Sequence, residues 1–317
     1  MLSATAIGAI MYASIMVLLC IGFTFTHMME KFPNLAHTSY ASIGTVFTFT
    51  FVRLWGFNPY LAWPIAALLC GLIGVALYLL IVQPMQRAGA GGIRLTFAMF
   101  ALTFVINALI AVYSFWILIT FHYSSLGFVL RRYDFTFMGL PGVLMFAPMT
   151  SLTLVTFIHL FLTRTRFGIA VKATTEDPNL ASSLGVNIFH VHLASWFFTG
   201  ALAGLAGAVL PLWYSTRLGG NDELMINVLA GSVLGGLDSI YGAVLGGIFL
   251  AYTQRLMPGM LVRAFGIWVA NYIPLMPIFV VVSVQLLMSD GIAGVLTSDS
   301  GQVGRLKRRM NDLLRRR

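Results

Sequence analysis

The sequence predicts an all-α fold, a polytopic bundle of transmembrane helices. Three observations carry this. The 317 residues are 59% hydrophobic and only 9% charged. The mean hydropathy is +0.89, far above that of a soluble domain. Several apolar runs reach the roughly 20 residues that a bilayer crossing needs, and charged residues gather in the breaks between them.

About eight spans follow in order. The first is 5–27. No basic residue precedes Lys31, so this run reads as a span and not as a cleaved signal peptide. It ends at the polar break His27–Pro33. Asn34-Leu-Ala-His37-Thr-Ser-Tyr-Ala-Ser-Ile-Gly44 is rich in small and hydroxyl residues and leads into a second apolar run to about 54. Arg53, Asn58 and Pro59 mark a turn, and 60–82 is the third span, closed by Gln83-Pro84. The glycine-rich loop Met85–Arg94 lacks the lysine and Ser/Thr of a phosphate-binding loop and reads as a flexible connector. The fourth span is 95–119. A polar segment, 120–145, carries Arg131, Arg132 and Asp134. The fifth span is 146–163, and the long polar loop 164–189 follows. The sixth, 190–213, holds Gly200, Gly204 and Gly207, spacing that lets a neighbouring helix approach closely. Residues 223–236 are short for a crossing. With 240–257 they form either a broken or re-entrant pair or two short spans. The last span is 266–289. Residues 1–290 thus read as a membrane domain and 291–317 as a tail with seven basic residues. Cys20 and Cys70 lie inside apolar runs and read as small buried hydrophobes.

The 164–189 loop has a structure of its own. Asp177 is a good N-cap and Pro178 fits the first helical position. Leu180, Ala181 and Leu184 fall on one face of a short helix, Gly185 is a natural stop, and Asn187 can cap the next helix. Such a helix either docks against a partner outside the bilayer or merely ties its own ends.

Charge orients the chain. With the tail cytoplasmic, the loops near 31, 84–94 and 164–189 face the cytoplasm and the N-terminus lies outside. Of the 19 basic residues, thirteen then fall inside; Arg53, Arg131, Arg132, Arg217, Arg255 and Arg263 fall outside. The basic tail suits anionic lipid, and no nucleic-acid partner is expected. All ten acidic residues, Glu30 and Asp238 among them, fall in loops, at span ends or in the tail. A proton-coupled carrier needs a carboxylate or histidine relay at membrane depth. The six histidines fall near interfaces. No HExxH is present, and no Walker-type loop, so neither a zinc site nor ATP hydrolysis is expected in this chain, and no cofactor. One internal echo stands out: Asn34 precedes Gly44 by the interval that separates Asn221 from Gly231. Corresponding broken helices in two halves are a transporter signature.

Taken together, the motifs resemble a family. The loop residues Gly168, Ala170, Lys172, Ala173, Glu176, Ala181, Gly185 and Asn187 are similar to the cytoplasmic loop of the branched-chain amino-acid ABC permeases, with Lys172 where arginine is frequent. Asn34-Leu-Ala-His37 with Gly44 resembles their Asn-Phe-Ala-His-Gly motif, Thr38 replacing its glycine. Gly235-Gly236, Ser239, Gly242, Gly246 and Gly247 resemble their Gly-Gly-x-Gly-Ser-x-x-Gly-Ala signature, Asp238 replacing a glycine. The likeness runs from about 8 to 290. It implies an importer with a second permease subunit, two cytoplasmic ATPase subunits and an extracytoplasmic solute-binding protein, for a branched-chain amino acid, urea or a short amide. It implies an ATPase-coupling element at Glu176, Asp177, Pro178, Leu180, Ala181, Leu184 and Gly185. Neutral polar and small groups are candidates for the solute path: Asn34, His37, Ser39, Asn107, Gly235, Gly236 and Gly242. An ion-coupled secondary transporter is the alternative within transport, since carbonyls can hold sodium. A membrane-embedded enzyme is the alternative outside it, and would need a polar catalytic cluster at membrane depth.

Overall fold

The computed structural model describes residues 4–137, 139–220 and 224–287. The tail 291–317 lies outside the described residues, as do Asn221, Asp222 and Glu223 and the acidic residues Asp290, Asp299 and Asp312.

The chain is an all-α bundle: α1 (Ala4–Glu30), α2 (His37–Phe49), α3 (Pro59–Leu77), α4 (Gln83–Arg87), α5 (Gly92–Phe121), α6 (Val143–Arg164), α7 (Arg166–Glu176), α8 (Pro178–Ser183), α9 (Ile188–Trp213), α10 (Leu224–Gly235), α11 (Ile240–Phe265) and α12 (Met276–Leu287). A two-residue ribbon, β1 (Thr136–Phe137) with β2 (Leu140–Pro141), is the one sheet among the described residues. Local chemistry sets the boundaries. Side chains of Asn58, Thr165, Asp177, Asn187 and Ser239 accept from the first free amides of α3, α7, α8, α9 and α11, satisfying groups that a helix start leaves unpaired. Wider π-type turns at Thr50–Leu54 and Tyr78–Val82 join α2 to the following loop and α3 to α4.

The loops sort to two ends. At one, Gln86 donates to Glu30 at 2.7 Å, Lys31 meets Asp238 at 3.3 Å, and α7 packs on α1 and α9. At the other, Arg53 lies over the rings of Tyr123 and Tyr133 and Tyr60 donates to Asp134. There too Phe128 pairs with Thr216, and Arg131 covers Trp213 at 4.5 Å. The loops that the charge count put on one side, near 31, 84–94 and 164–189, therefore share the Lys31 end. Arg53 and Arg131 share the opposite one.

Among the described residues six helices are long and apolar enough to cross a membrane. Of the expected spans, 34–54 departs from the reading. The 34–54 run is not a full-length span. His37 at the start of α2 bonds the Leu19 carbonyl at 3.0 Å, halfway along α1, so residues 31–36 dip into the bundle and α2 starts at mid-depth. The histidine is fully buried and not interfacial as the sequence suggested. The 223–257 pair is an antiparallel hairpin. Asn227 reaches Tyr12 of α1, the turn comes to Lys31, and Arg255 returns to the level of Tyr12. α10, with 12 residues, is not among the helices long enough to cross a membrane, as its short apolar run suggested. The 266–289 span starts as a tight three-residue-per-turn coil, Ile267–Leu275, before α12.

The echo has a structural counterpart. α2 and α10 are both short helices, of 13 and 12 residues, and they run in opposite directions. Gly44 of α2 packs on the backbone of Gly204 in α9; Gly231 of α10 packs on Cys20 of α1. α9 packs along α3 as α1 packs along α11. This exchange of partners is what an inverted repeat produces. The close approaches need glycine: a Cβ on Gly204 would lie 2.6 Å from the Cys70 sulfur, and one on Gly207 would overlap the Ala41 carbonyl. Cys20 and Cys70 are free and buried.

Candidate functional site

Two regions contain the candidate residues. The first is the capped helix at the Lys31 end. Asp177 Oδ1 accepts from Asn179 N at 2.9 Å and Leu180 N at 3.1 Å. Pro178 occupies the first turn, where its missing N–H costs nothing. Gly185 has a φ of +87°, a left-handed conformation that closes the helix, and Val186 N returns to Ala181 O at 3.0 Å. The helix is thus a closed unit joined to α9 by the four residues 184–187. Ala181 turns inward and is 1% exposed, whereas Leu180 is 59% and Leu184 75% exposed. The three do not share one environment: the alanine anchors the helix to the bundle and the leucines face away from it. Glu176 ends α7 beside them.

The second region is a polar seam in the centre. Asn34, His37, Thr38, Ser39 and Ser42 are at most 1% exposed. Ser195 of α9 and Thr24 of α1 are also buried polar residues. His37 donates through Nε2 to Leu19 O, while its Nδ1 lacks a partner among the described residues, as do the hydroxyls of Thr38, Ser39 and Ser42. Each unsatisfied buried group costs about 1–3 kcal/mol. Residues 37–40 are successive helical positions, so these groups ring the start of α2.

The remaining path candidates lie elsewhere. Asn107 sits on α5, near Gly219. Gly235 and Gly242 pack backbone to backbone at the α10–α11 turn, and Gly236 there has a φ of +101°. Asn34, His37 and Ser39 are therefore one group, Asn107 a second and the glycines a third.

Sequence reasoning missed a buried carboxylate. Glu30 ends α1 with its side chain fully buried. Oε1 accepts from His192 Nδ1 and Trp196 Nε1, each at 2.7 Å, and Oε2 from Gln86 Nε2 at 2.7 Å. The residue ties α1, α4 and α9 together at the end where the capped helix sits. Nothing local in the sequence pairs positions 30 and 192. Glu30→Ala would strand three donors and is expected to destabilise by about 3–5 kcal/mol, against about 1 kcal/mol for Glu30→Gln, which keeps an acceptor. Thermal unfolding of the detergent-purified variants measures this; an unchanged midpoint for Glu30→Ala would show the network to be incidental.

Comparison with known proteins gives a consistent result. The family model described as branched-chain amino acid transport system / permease component matches residues 5–286. The probable branched-chain amino acid transport permease protein LivH of Methanocaldococcus jannaschii is 32% identical over 288 residues, 91% of each chain. LivH of Escherichia coli, a high-affinity branched-chain amino acid transport system permease protein, is 29% identical over 165 residues, covering 50% of this chain and 48% of its own. The xylose transport system permease protein XylH of Escherichia coli is 32% identical over 130 residues, 37% of this chain and 32% of its own. No solved structure matches.

Proposed function

The chain belongs to the branched-chain amino-acid transport permease family, and from that premise we propose that it is the membrane subunit of an ATP-binding-cassette importer. It is a transport permease and not an enzyme. In our reading it lies in a prokaryotic cytoplasmic membrane and passes a branched-chain amino acid. It pairs with a second permease subunit, binds two cytoplasmic ATPase subunits, and takes solute from an extracytoplasmic binding protein. Residues 1–290 form the permease domain with its coupling loop 164–189, and 291–317 a cytoplasmic tail set against anionic lipid.

The observation that carries this reading is the capped α8. Two exposed leucines stand on a rigid helix, at the Lys31 end of the bundle. An ATPase groove would take Leu180 and Leu184, and closure of the ATPase dimer would move α8 as a rigid body. The motion would pass through the short link 184–187 to α9, against which α2 and α3 pack. Sliding α9 would part it from α2, wetting the buried polar groups of α2 that are unpaired when the two are packed. That seam is our route for the solute, lined by neutral donors and acceptors.

The test is the company the chain keeps and the energy it uses. The tagged full-length chain is expected to copurify with an ATPase, and membrane vesicles are expected to take up the solute only with ATP. Uptake driven by an ion gradient without ATP would favour the secondary carrier instead. Orientation has its own check, helped by the burial of both native cysteines. A cysteine at Ser124, exposed at the Arg53 end, should react with an impermeant thiol reagent in intact cells. One at Ser183, exposed on α8, should react only after lysis. The reverse pattern would turn the molecule over.

A further inference from the structure

The Glu30 carboxylate is bound from three directions. Its side chain is fully buried. His192 Nδ1 and Trp196 Nε1 donate to Oε1, and Gln86 Nε2 donates to Oε2, each at 2.7 Å. Every partner is a donor, so the group is held as a carboxylate, and bonds to an ionised acceptor are the strong ones. The donors are themselves placed. The His192 ring lies parallel to that of Tyr78 with centroids 5.8 Å apart, and Tyr78 also packs on Trp196 at 5.9 Å. Tyr78 opens the π-type turn that leads into α4, and such turns are frequent at functional positions. One carboxylate therefore clamps the end of α1 to α9 and to the junction of α3 with α4.

The place of the clamp in the chain gives it a direction. On one side is His192, near the start of α9 and just past the link 184–187 from α8. On the other, Glu30 runs directly into the stretch that carries the chain to α2. That stretch turns at Lys31, whose φ of +55° is uncommon for a residue with a side chain. Lys31 N bonds back to His27 O at 2.8 Å, and Asn34 Oδ1 accepts from Ala36 N at 3.1 Å. Phe32, Asn34 and His37 are buried. So short and internally bonded a segment passes a displacement of Glu30 on to the start of α2. A carboxylate also suits a joint that opens. Among the described residues its ionic partner is His192, while Lys31 meets Asp238 instead. Water can replace the three donors at modest net cost, because burying the charge forfeits much of what the bonds return. An apolar contact has no such exchange.

We propose that Glu30 is a latch of the transport cycle: with α9 packed as here it locks the 31–37 stretch in place, and movement of the start of α9 releases it. The inference rests on the importer reading, in which α8 drives α9, and adds the joint that carries the movement to α2. Glu30 is a positioning residue, acting through the segment that it holds.

The full-length chain is placed in phosphatidylcholine vesicles with a Ser42→Cys reporter, a buried position of α2, and treated with a small membrane-permeant thiol reagent. Cys20, buried on α1 against Gly231 of α10, is the internal reference, and the two sites are read separately by peptide mass. His192→Phe removes one donor and keeps a ring on Tyr78, and Gln86→Leu removes the other arm. Each should speed labelling at position 42 roughly threefold or more, with Cys20 unchanged, because only the local opening is made easier. His192→Asn, which restores a donor, should return the rate toward that of the parent. In the assembled transporter without the reporter, His192→Phe should lower the solute moved per ATP roughly threefold, a ratio that lost stability alone would leave unchanged. Equal labelling in all variants would make Glu30 a static staple. Matching acceleration of Cys20 would mean general loosening, and an unchanged solute-to-ATP ratio would separate the clamp from transport. Each of these overturns the proposal. Selective labelling in a chain that never copurifies with an ATPase would sink the importer reading and leave the joint between α9 and α2 standing.

Discussion

Replacing Leu180 and Leu184 together with aspartate is expected to abolish solute uptake while the protein still inserts in the membrane. Both side chains face away from the bundle, so the free chain loses nothing when they become polar. On docking, two leucines bury about 3–6 kcal/mol of apolar surface, which is roughly a hundredfold or more in affinity for the ATPase. Charged replacements add a desolvation cost to that loss. Asp177→Ala has a smaller expected effect. It removes one cap worth about 1 kcal/mol, and a docked helix tolerates that with transport reduced only a few-fold. Membrane insertion, ATPase copurification and vesicle uptake are measured side by side. A double variant that inserts, keeps its ATPase and drives normal uptake would reduce α8 to a connector.

Gly204→Leu is expected to prevent assembly of the bundle. The Cβ of any replacement points at the Cys70 side chain and lies 3.2 Å from the Ala66 carbonyl. Gly44 packs on the other side of the same backbone, so α9 cannot retreat. Overpacking usually costs about 1–3 kcal/mol; here backbone faces backbone, and a full leucine exceeds that range. The variant should show little monodisperse protein by size exclusion in mild detergent. A compensation isolates the cause. Gly204→Ala alone should lower thermal stability, and Cys70→Gly in the same chain should recover part of it by removing the atoms that the new methyl meets. A Gly204→Ala chain as stable as the parent, with no gain from Cys70→Gly, would mean that the contact is loose.

Much of the architecture was legible because bilayers impose simple rules. The long apolar runs at 5–27, 60–82, 95–119, 146–163 and 190–213 each became a helix within a few residues of the expected bounds. The Asp177–Pro178 start and the Gly185 stop were legible too, because caps and left-handed stops are decided by residues a few positions apart. The 34–54 run was not. Hydropathy measures greasiness along the chain and carries no depth, so it could not show that Asn34 and His37 lie halfway along α1. The role of Ala181 also escaped: helical spacing groups it with Leu180 and Leu184, but only its neighbours decide which side is covered.

The sequence alone determined the class of molecule, its helices, the sorting of its loops to two ends and the capped helix, since composition, period and caps are local properties. Tertiary structure alone decided what those helices hold between them. Glu30 meets His192, and Arg255 slides between Tyr12 and Tyr214. Such pairs join residues far apart in the chain, and apolar runs carry no signal of which faces will touch. In the low dielectric of a bundle, a charge that is of little account in a loop becomes costly unless it is met. The groups that meet it, and the few left unmet along the seam, are fixed by which helices pack together.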